Sequence, residues 1–473
     1  MNIPLLIVIC YIIALFAISA FARKLAAKGS EDFILAGRKL TTPLVAVTIT
    51  GLAIGGASTI GVSEQAYNVG LAAGWYNVAW AAGAIVMGLV AAARYRSLNI
   101  STVPELFEKF YDTKGRVICV IGQIIIQLVI TSLQYVAGGA ILAALLPEIF
   151  TFKSGMLVSA IVFISITFIG GMWSAGLSNL LNVALIYLGT TIAAIMSIVG
   201  QGGLNTIRLE LPAEVPYLHP INGLGWIVIA GWFAVMITQV LSLQGTVQIS
   251  CGAKDEKSAR RGFIIGGMLM IPIGFLSALM GIAAKVAFPD ISATLALPKI
   301  IMSLNPVIAG LTLAALWAAD VSTACNLLLG SATLFSQDIY KRFIRPDSTE
   351  KHFMLITKAS ICVLGLLTLF MAFTVVGILK TLLIGLSLTT AFTVVFLFTI
   401  FTPGLCRKNS AFYTTLAGML VLILWQFVPA IRILPHVIYL EWLVCVSVFL
   451  LMPLLDKRPI HNIGMLNPGD SIS

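Results

Sequence analysis

Residues 318–332, AADVSTACNLLLGSA, place a carboxylate, Asp320, two positions before a hydroxyl pair, Ser322 and Thr323, deep inside an apolar stretch. A group like this can accept a proton, ligate a cation or face a charged solute. Carboxylates at membrane depth are costly and by default face a cavity or a partner. The hydroxyls also have a plainer use, because Ser and Thr in membrane helices bond back to a carbonyl four residues earlier.

Other polar residues recur in apolar company. Residues 45–67, VAVTITGLAIGGASTIGVSEQAY, carry Gly51, Gly55, Gly56 and Gly61 and end in Ser63, Glu64 and Gln65. Glycines in membrane helices serve as packing surfaces, but this density beside polar groups predicts a discontinuous helix. Unwound backbone is tolerated at that depth only where it lines a cavity or an ion. A later segment carries Gly231, Gln239, Gln244, Gly245 and Gln248. Gln123, Gln127, Thr131 and Gln134 share one helix face, either lining a pathway or joining helices.

The elements that position these groups follow from composition. The chain has 473 residues, 59% hydrophobic and 10% charged. Soluble domains carry about 25% charged residues. Apolar runs recur along the chain, each long enough to cross a bilayer core of about 30 Å as a helix. No alternating strand pattern is present, so the predicted class is an all-α polytopic membrane protein. About thirteen spans are expected: 3–22, 42–68, 71–93, 118–146, 155–171, 178–202, 224–250, 262–288, 305–336, 353–377, 380–403, 411–431 and 434–455. The first lacks a basic leader and reads as a true span rather than a cleaved signal.

With the N-terminus outside, 23 of the 29 Lys and Arg fall on inner loops. The exceptions are Lys153, Arg208, Lys285, Lys299, Lys380 and Arg432. This bias predicts an outer N-terminus and a cytoplasmic C-terminus. It also explains the +10 charge without nucleic acid. The seven cysteines show no metal or disulfide spacing, and the four histidines form no ligand cluster. No nucleophile elbow, HExxH or phosphate-cradling loop occurs, so no enzyme is expected, and an ion gradient is the expected energy source.

Spans two to six and seven to eleven form two five-crossing units of opposite orientation, each led by a glycine- and amide-rich span. Such inverted repeats with broken lead helices are characteristic of secondary transporters. The expected layout is one transmembrane domain over 1–460: an extra helix at 3–22, repeats at 42–202 and 224–403, two extra helices within 411–455, and a cytoplasmic tail at 461–473.

The segments EDFILAGRKL, GLAIGGASTIG, GGMWSAGLSNLLN, CGAKDEKSARRG and AADVSTACNLLLGSATLFSQDIYKRF resemble, in order, blocks of the sodium/solute symporter family, which has the LeuT-type fold. The resemblance implies a sodium ion held by carbonyls of Gly51, Ile54 and Ala319 and hydroxyls of Ser322 and Thr323. A hard cation takes such oxygen ligands. It also implies sodium-coupled symport of a small organic solute across the plasma membrane, with sodium as coupling ion and no other cofactor. Resemblance to sugar-carrying members puts Ser58 and Asn77 near solute and Gln239 near the inner gate, and Gln127 joins them from the polar stripe. No protein partner is indicated.

The chain departs from the family at three positions. Asn179 stands where many members carry aspartate, Glu64 where a small residue is usual, and Asp320 where an apolar one is usual. Asp320 and Glu64 read as the only carboxylates inside the spans, which favours a solute bearing an amino or ammonium group. Proton-coupled transport of a carboxylate or other metabolite, and a membrane sensor or receptor without transport, are the alternatives.

Overall fold

Every backbone polar group in lipid must be satisfied within its own segment, and the chain meets this with helices. The computed structural model describes residues 3–374 and 378–462, and the side chains of 378–381, Lys380 included, lie outside the description. The end of the expected 353–377 span and nearly all of the expected tail therefore fall outside it too. Among the described residues there is no strand, only isolated bridges at Leu40–Ala253 and Arg407–Pro459.

The main helices are α1 (Ile3–Ala26), α2 (Thr42–Ala53), α3 (Val62–Val69), α4 (Trp75–Val90), α5 (Val103–Phe110), α6 (Thr113–Leu145), α7 (Phe152–Gly200), α8 (Trp226–Ser242), α9 (Gln244–Gly252), α10 (Glu256–Ala287), α11 (Pro306–Thr333), α12 (Glu350–Ala372), α13 (Ile378–Ser387), α14 (Thr389–Phe401), α15 (Ser410–Phe427) and α16 (Val437–Leu455). Side-chain caps start several of them: Asp112 at α6, Thr151 at α7, Asp255 at α10 and Thr349 at α12 each accept an N–H of the first turn.

The expected thirteen spans are not reproduced by length and hydropathy. Ten described stretches qualify, or eleven if the bent pair α8–α9 is one span. One difference is Ala57–Val90, a single apolar stretch across the break expected near residue 70. Another is α7, where 49 residues run on in place of the expected pair 155–171 and 178–202. At 1.5 Å per residue α7 would extend about 73 Å, more than two bilayer cores. Its backbone leaves helical geometry at Gly171 (φ 51°), which divides that length.

Burial sorts the helices into a centre and a rim. The stretch containing α11 is 83% buried over its most apolar window, whereas α1, α15 and α16 reach only 28%, 39% and 33%. Helices apolar all round belong inside or against lipid, and the rim helices present Phe427, Leu443 and Leu454 outward. The chemistry-bearing residues of α11 therefore sit on the most enclosed helix, against α7, α6, α1 and α2.

Candidate ion site at the helix break

The first break forms where glycine lets other helices approach. α2 stops at Ala53, Ile54 turns to φ −90°, ψ 85°, and the chain resumes as a wide turn over Ala57–Gly61, with Gly61 N–H bonded to Gly56 O at 2.8 Å. A Cβ at Gly55 would collide with the Gln134 amide oxygen and the Thr323 hydroxyl, and one at Gly56 with Ala137 Cβ. The interrupted backbone is not left bare. Gln134 Oε1 on α6 accepts the Gly56 N–H at 2.7 Å.

Across this break stand the two hydroxyls of α11. Ser322 Oγ lies 2.6 Å from Gly51 O and 2.8 Å from Ala319 O. Thr323 Oγ1 lies 3.0 Å from both Gly51 O and Leu52 O. Each hydroxyl has one proton and donates to one carbonyl at a time. Thr323 thus reaches across to α2 instead of bonding back along its own helix. Gly51, Ala319, Ser322 and Thr323 lie together at the break. Ile54 is buried at the break, but the hydroxyl pair meets the carbonyl of Leu52 in place of that of Ile54.

Asp320 is fully buried, and neither carboxylate oxygen has a hydrogen-bond partner. It points at the break: a Cβ on Gly56 would lie 3.0 Å from Asp320 Oδ1. Asn179 lies against Gly51 with its Nδ2 unpartnered. Its Oδ1 accepts from Asn182 at 3.2 Å, and Asn182 Oδ1 accepts from Tyr11 on α1 at 2.9 Å. The aspartate-to-asparagine departure therefore falls beside the carbonyl both hydroxyls share.

The second lead helix breaks too. Between α8 and α9 the axis bends by 49° at Leu243 (ψ 130°). Gln123 clamps it: Nε2 donates to Ser242 O at 2.7 Å and Oε1 accepts Gln244 N–H at 3.0 Å. On the α6 stripe Gln123 and Gln134 thus join helices, while Gln127 between them has both amide atoms buried and unpartnered. Gln239 is buried with Oε1 unpartnered, and Asn77 is buried beside Gly274 with both amide atoms unpartnered. Ser58 donates to Ala53 O at 2.6 Å.

A cavity of about 980 Å³ is lined by Gln65, Ser132, Trp232, Gln426, Arg432 and His436, among others. Ser58, Asn77, Gln127, Gln239 and Asp320 do not line it. Glu64 is half-buried next to Gln65. At the basic face, buried Asp338 accepts from Arg116 at 2.6 Å and from Thr102 at 3.0 Å. Arg116 also pairs with Glu108, which takes Arg342 at 2.8 Å. Burial acts to raise the Glu108 carboxyl, but hydrogen bonds from Arg342 and Arg116 outweigh it and hold it at about 2.

One expectation fails. Asp320 and Glu64 are not the only carboxylates inside the spans, because Glu441 on α16 is fully buried. The signal was present in the sequence: a single acid in an otherwise uncharged run at 434–455. The Asp338 network was less legible, since its partners are more than 200 residues apart.

The sequence pattern described as the sodium:solute symporter family matches residues 33–418. A sodium/glucose cotransporter of Vibrio parahaemolyticus is 26% identical over 359 residues, 68% of this chain and 65% of that protein. The chain thus spans just under two thirds of that relative's length. A sodium/proline symporter of Salmonella typhimurium is 25% identical over 450 residues, 89% of this chain and 88% of that one. The solved structure of a Na+-coupled sialic acid symporter, substrate-bound and outward-open, superposes with a TM-score of 0.82 over 97% of this chain and 99% of that one, at 18% identity. The match to the family pattern across most of its length places this chain in the sodium:solute symporter family.

Proposed function

We propose that the protein couples sodium entry to the uptake of a small organic solute across the plasma membrane by alternating access. The carrying observation is the oxygen cluster at the first break, where Ser322 and Thr323 meet the carbonyls of Gly51, Leu52 and Ala319 at 2.6–3.0 Å. Turning the hydroxyl protons outward offers several hard oxygen ligands to one monovalent ion. The ligands come from α2 and α11, so bound sodium favours the state in which these helices touch. Ligands that are mostly neutral keep the affinity modest, which lets the ion leave.

Solute enters from the face bearing Arg432 and His436 and passes to the region between the two breaks. Gln127 offers an unpartnered amide there, and Asp320 offers a carboxylate beside Gly56. Asn77, Gln239 and Ser58 line the same route at other depths. An unpaired acid at that depth selects a solute with an amino or ammonium group. The basic face is cytoplasmic, as the Lys and Arg bias requires, and the Arg116–Asp338 and Glu108–Arg342 pairs seal it. The repeats at 42–202 and 224–403 move against each other around the site, and the chain carries out no covalent chemistry. Uptake of candidate amines and amino acids into proteoliposomes, with and without a sodium gradient, is the test. Sodium-independent uptake, or none for any cationic or zwitterionic solute, overturns the reading.

A further inference from the structure

The solute route described above does not use Glu441, and among the described side chains none near it supplies a cation. The helices packed against α16, namely α15, α14, α13, α8 and the neighbouring turns of α16 itself, contribute no Lys or Arg side chain facing it: α15, α14 and α8 contain none at all, and α13 holds only Lys380, whose side chain lies outside the described residues. Oε2 has only the weak thiol donor Cys445, with Sγ at 3.7 Å, and Oε1 has no partner. An isolated ionised carboxylate in that setting is very costly until a cation joins it or a proton neutralises it.

The facing helix supplies a second, independent observation. Many buried threonines elsewhere in the bundle bond back four residues, as Thr190 does to Ile186 O, Thr368 to Leu364 O and Thr399 to Val395 O, and others such as Thr323 and Thr393 bond across to a neighbouring helix. Thr414 and Thr415 on α15 are fully buried, yet neither hydroxyl has any partner. They precede Gly418 by one helical turn, so they share its face. Gly418 itself abuts Glu441, since a Cβ there would lie 3.1 Å from Oε2 and 3.3 Å from Cys445 Sγ. One carboxylate and two unpartnered hydroxyls thus lie within about one helical turn of each other along the α15–α16 contact, where Cys445 Sγ also lies 3.9 Å from Thr414 O.

We propose that Glu441, Thr414 and Thr415 form a second monovalent-cation site that takes sodium. A carboxylate with hydroxyl oxygens is a hard ligand set, and its single negative charge is balanced by one alkali ion. The site also touches the moving parts. Trp442, the next residue, donates to Thr238 Oγ1 at 3.0 Å on α8. Thr393 joins Thr238 O at 2.6 Å to Ser242 Oγ at 2.7 Å, at the lip of the second break. An ion at Glu441 therefore steadies the helix pair against which α8 bends.

Radioactive sodium binding to the purified full-length protein in nanodiscs, counted per protein at saturation, tests this. Wild type is expected to bind two ions, Glu441→Gln one, Ser322→Ala with Thr323→Ala one, and the combined variant none. Thr415→Val, which keeps the acid, is expected to raise the half-saturation of one ion about tenfold and covers the case in which Glu441→Gln does not fold. Unchanged sodium stoichiometry in Glu441→Gln overturns the proposal. So does a change confined to the pH profile, which marks Glu441 as a proton site. Loss of binding in Glu441→Gln with none in the α11 double variant upholds the second site and removes the first, so the two readings fail separately.

Discussion

Gln123 and Gln134 lie eleven residues apart on α6, and each is hydrogen-bonded to the backbone of a different broken helix. At 1.5 Å per residue that spacing is about 16 Å, three turns on one face. One continuous helix therefore holds both breaks, and a shift of either is felt through a rigid rod. Removing a clamp leaves a buried backbone group unpaired, which costs about 1–3 kcal/mol. Gln134→Leu and Gln123→Leu should each lower the unfolding temperature in detergent and slow uptake. Full stability and full transport in both would show that water replaces the clamps without consequence.

The ion site is tested at its hydroxyls. Ser322→Ala and Thr323→Ala each remove one oxygen that meets Gly51 O, and each should weaken sodium dependence by about 1–3 kcal/mol. Uptake against sodium at fixed solute is the measurement. Half-saturation unchanged in both variants sinks the assignment.

Asp320 has no hydrogen-bond partner to lose, so its replacement by an amide of similar shape isolates its charge. Asp320→Asn should fold, insert and lose coupled uptake of cationic solute. If Asp320 also carries a proton in the cycle, wild-type uptake shifts with pH and the variant does not. Transport with unaltered ion, pH and solute dependence would make the residue structural, and the cationic-solute reading would fall with it.

Glu108 gives a pH prediction with a definite sign. Its carboxyl is held at about 2 in the folded protein, below the ordinary value of about 4.3. A depressed acid contributes stability that is whole above its unfolded value and is lost as pH falls through its folded one. Wild type should therefore lose stability between about pH 4.5 and pH 2, and Glu108→Gln should show a shallower decline in thermal unfolding over that range. Parallel curves would remove the Arg116–Glu108–Arg342 network from the account.

Orientation is tested on two exposed loops. Lys257→Cys should react with an impermeant thiol reagent only from the inside and Glu214→Cys only from the outside, since both side chains are exposed. The reverse pattern would overturn the outer N-terminus and the inward placement of the Arg116–Asp338 seal.

Much of this protein was legible in the chain itself. Hydropathy and the scarcity of charge determine a helical bundle in a bilayer, because lipid leaves no other partner for the backbone. The glycine density around Gly51–Gly61 marked the first break, and Gln239–Gln248 the second, since local flexibility and polar content are written in consecutive residues. Ser322 and Thr323 stood out for the same reason. Tertiary structure decided what those groups meet. Whether a threonine bonds its own helix or crosses to Leu52 depends on how closely α2 and α11 approach, and that distance is set by side chains as remote as Gln134 and Asn179. The same holds for span counts, where Gly171 turns one helical run into two lengths, and for Arg116, whose carboxylate partner Asp338 lies 222 positions away. Sequence carries the period and polarity of each segment, but pairing between segments is a property of the packed bundle, where most buried polar atoms find their partners.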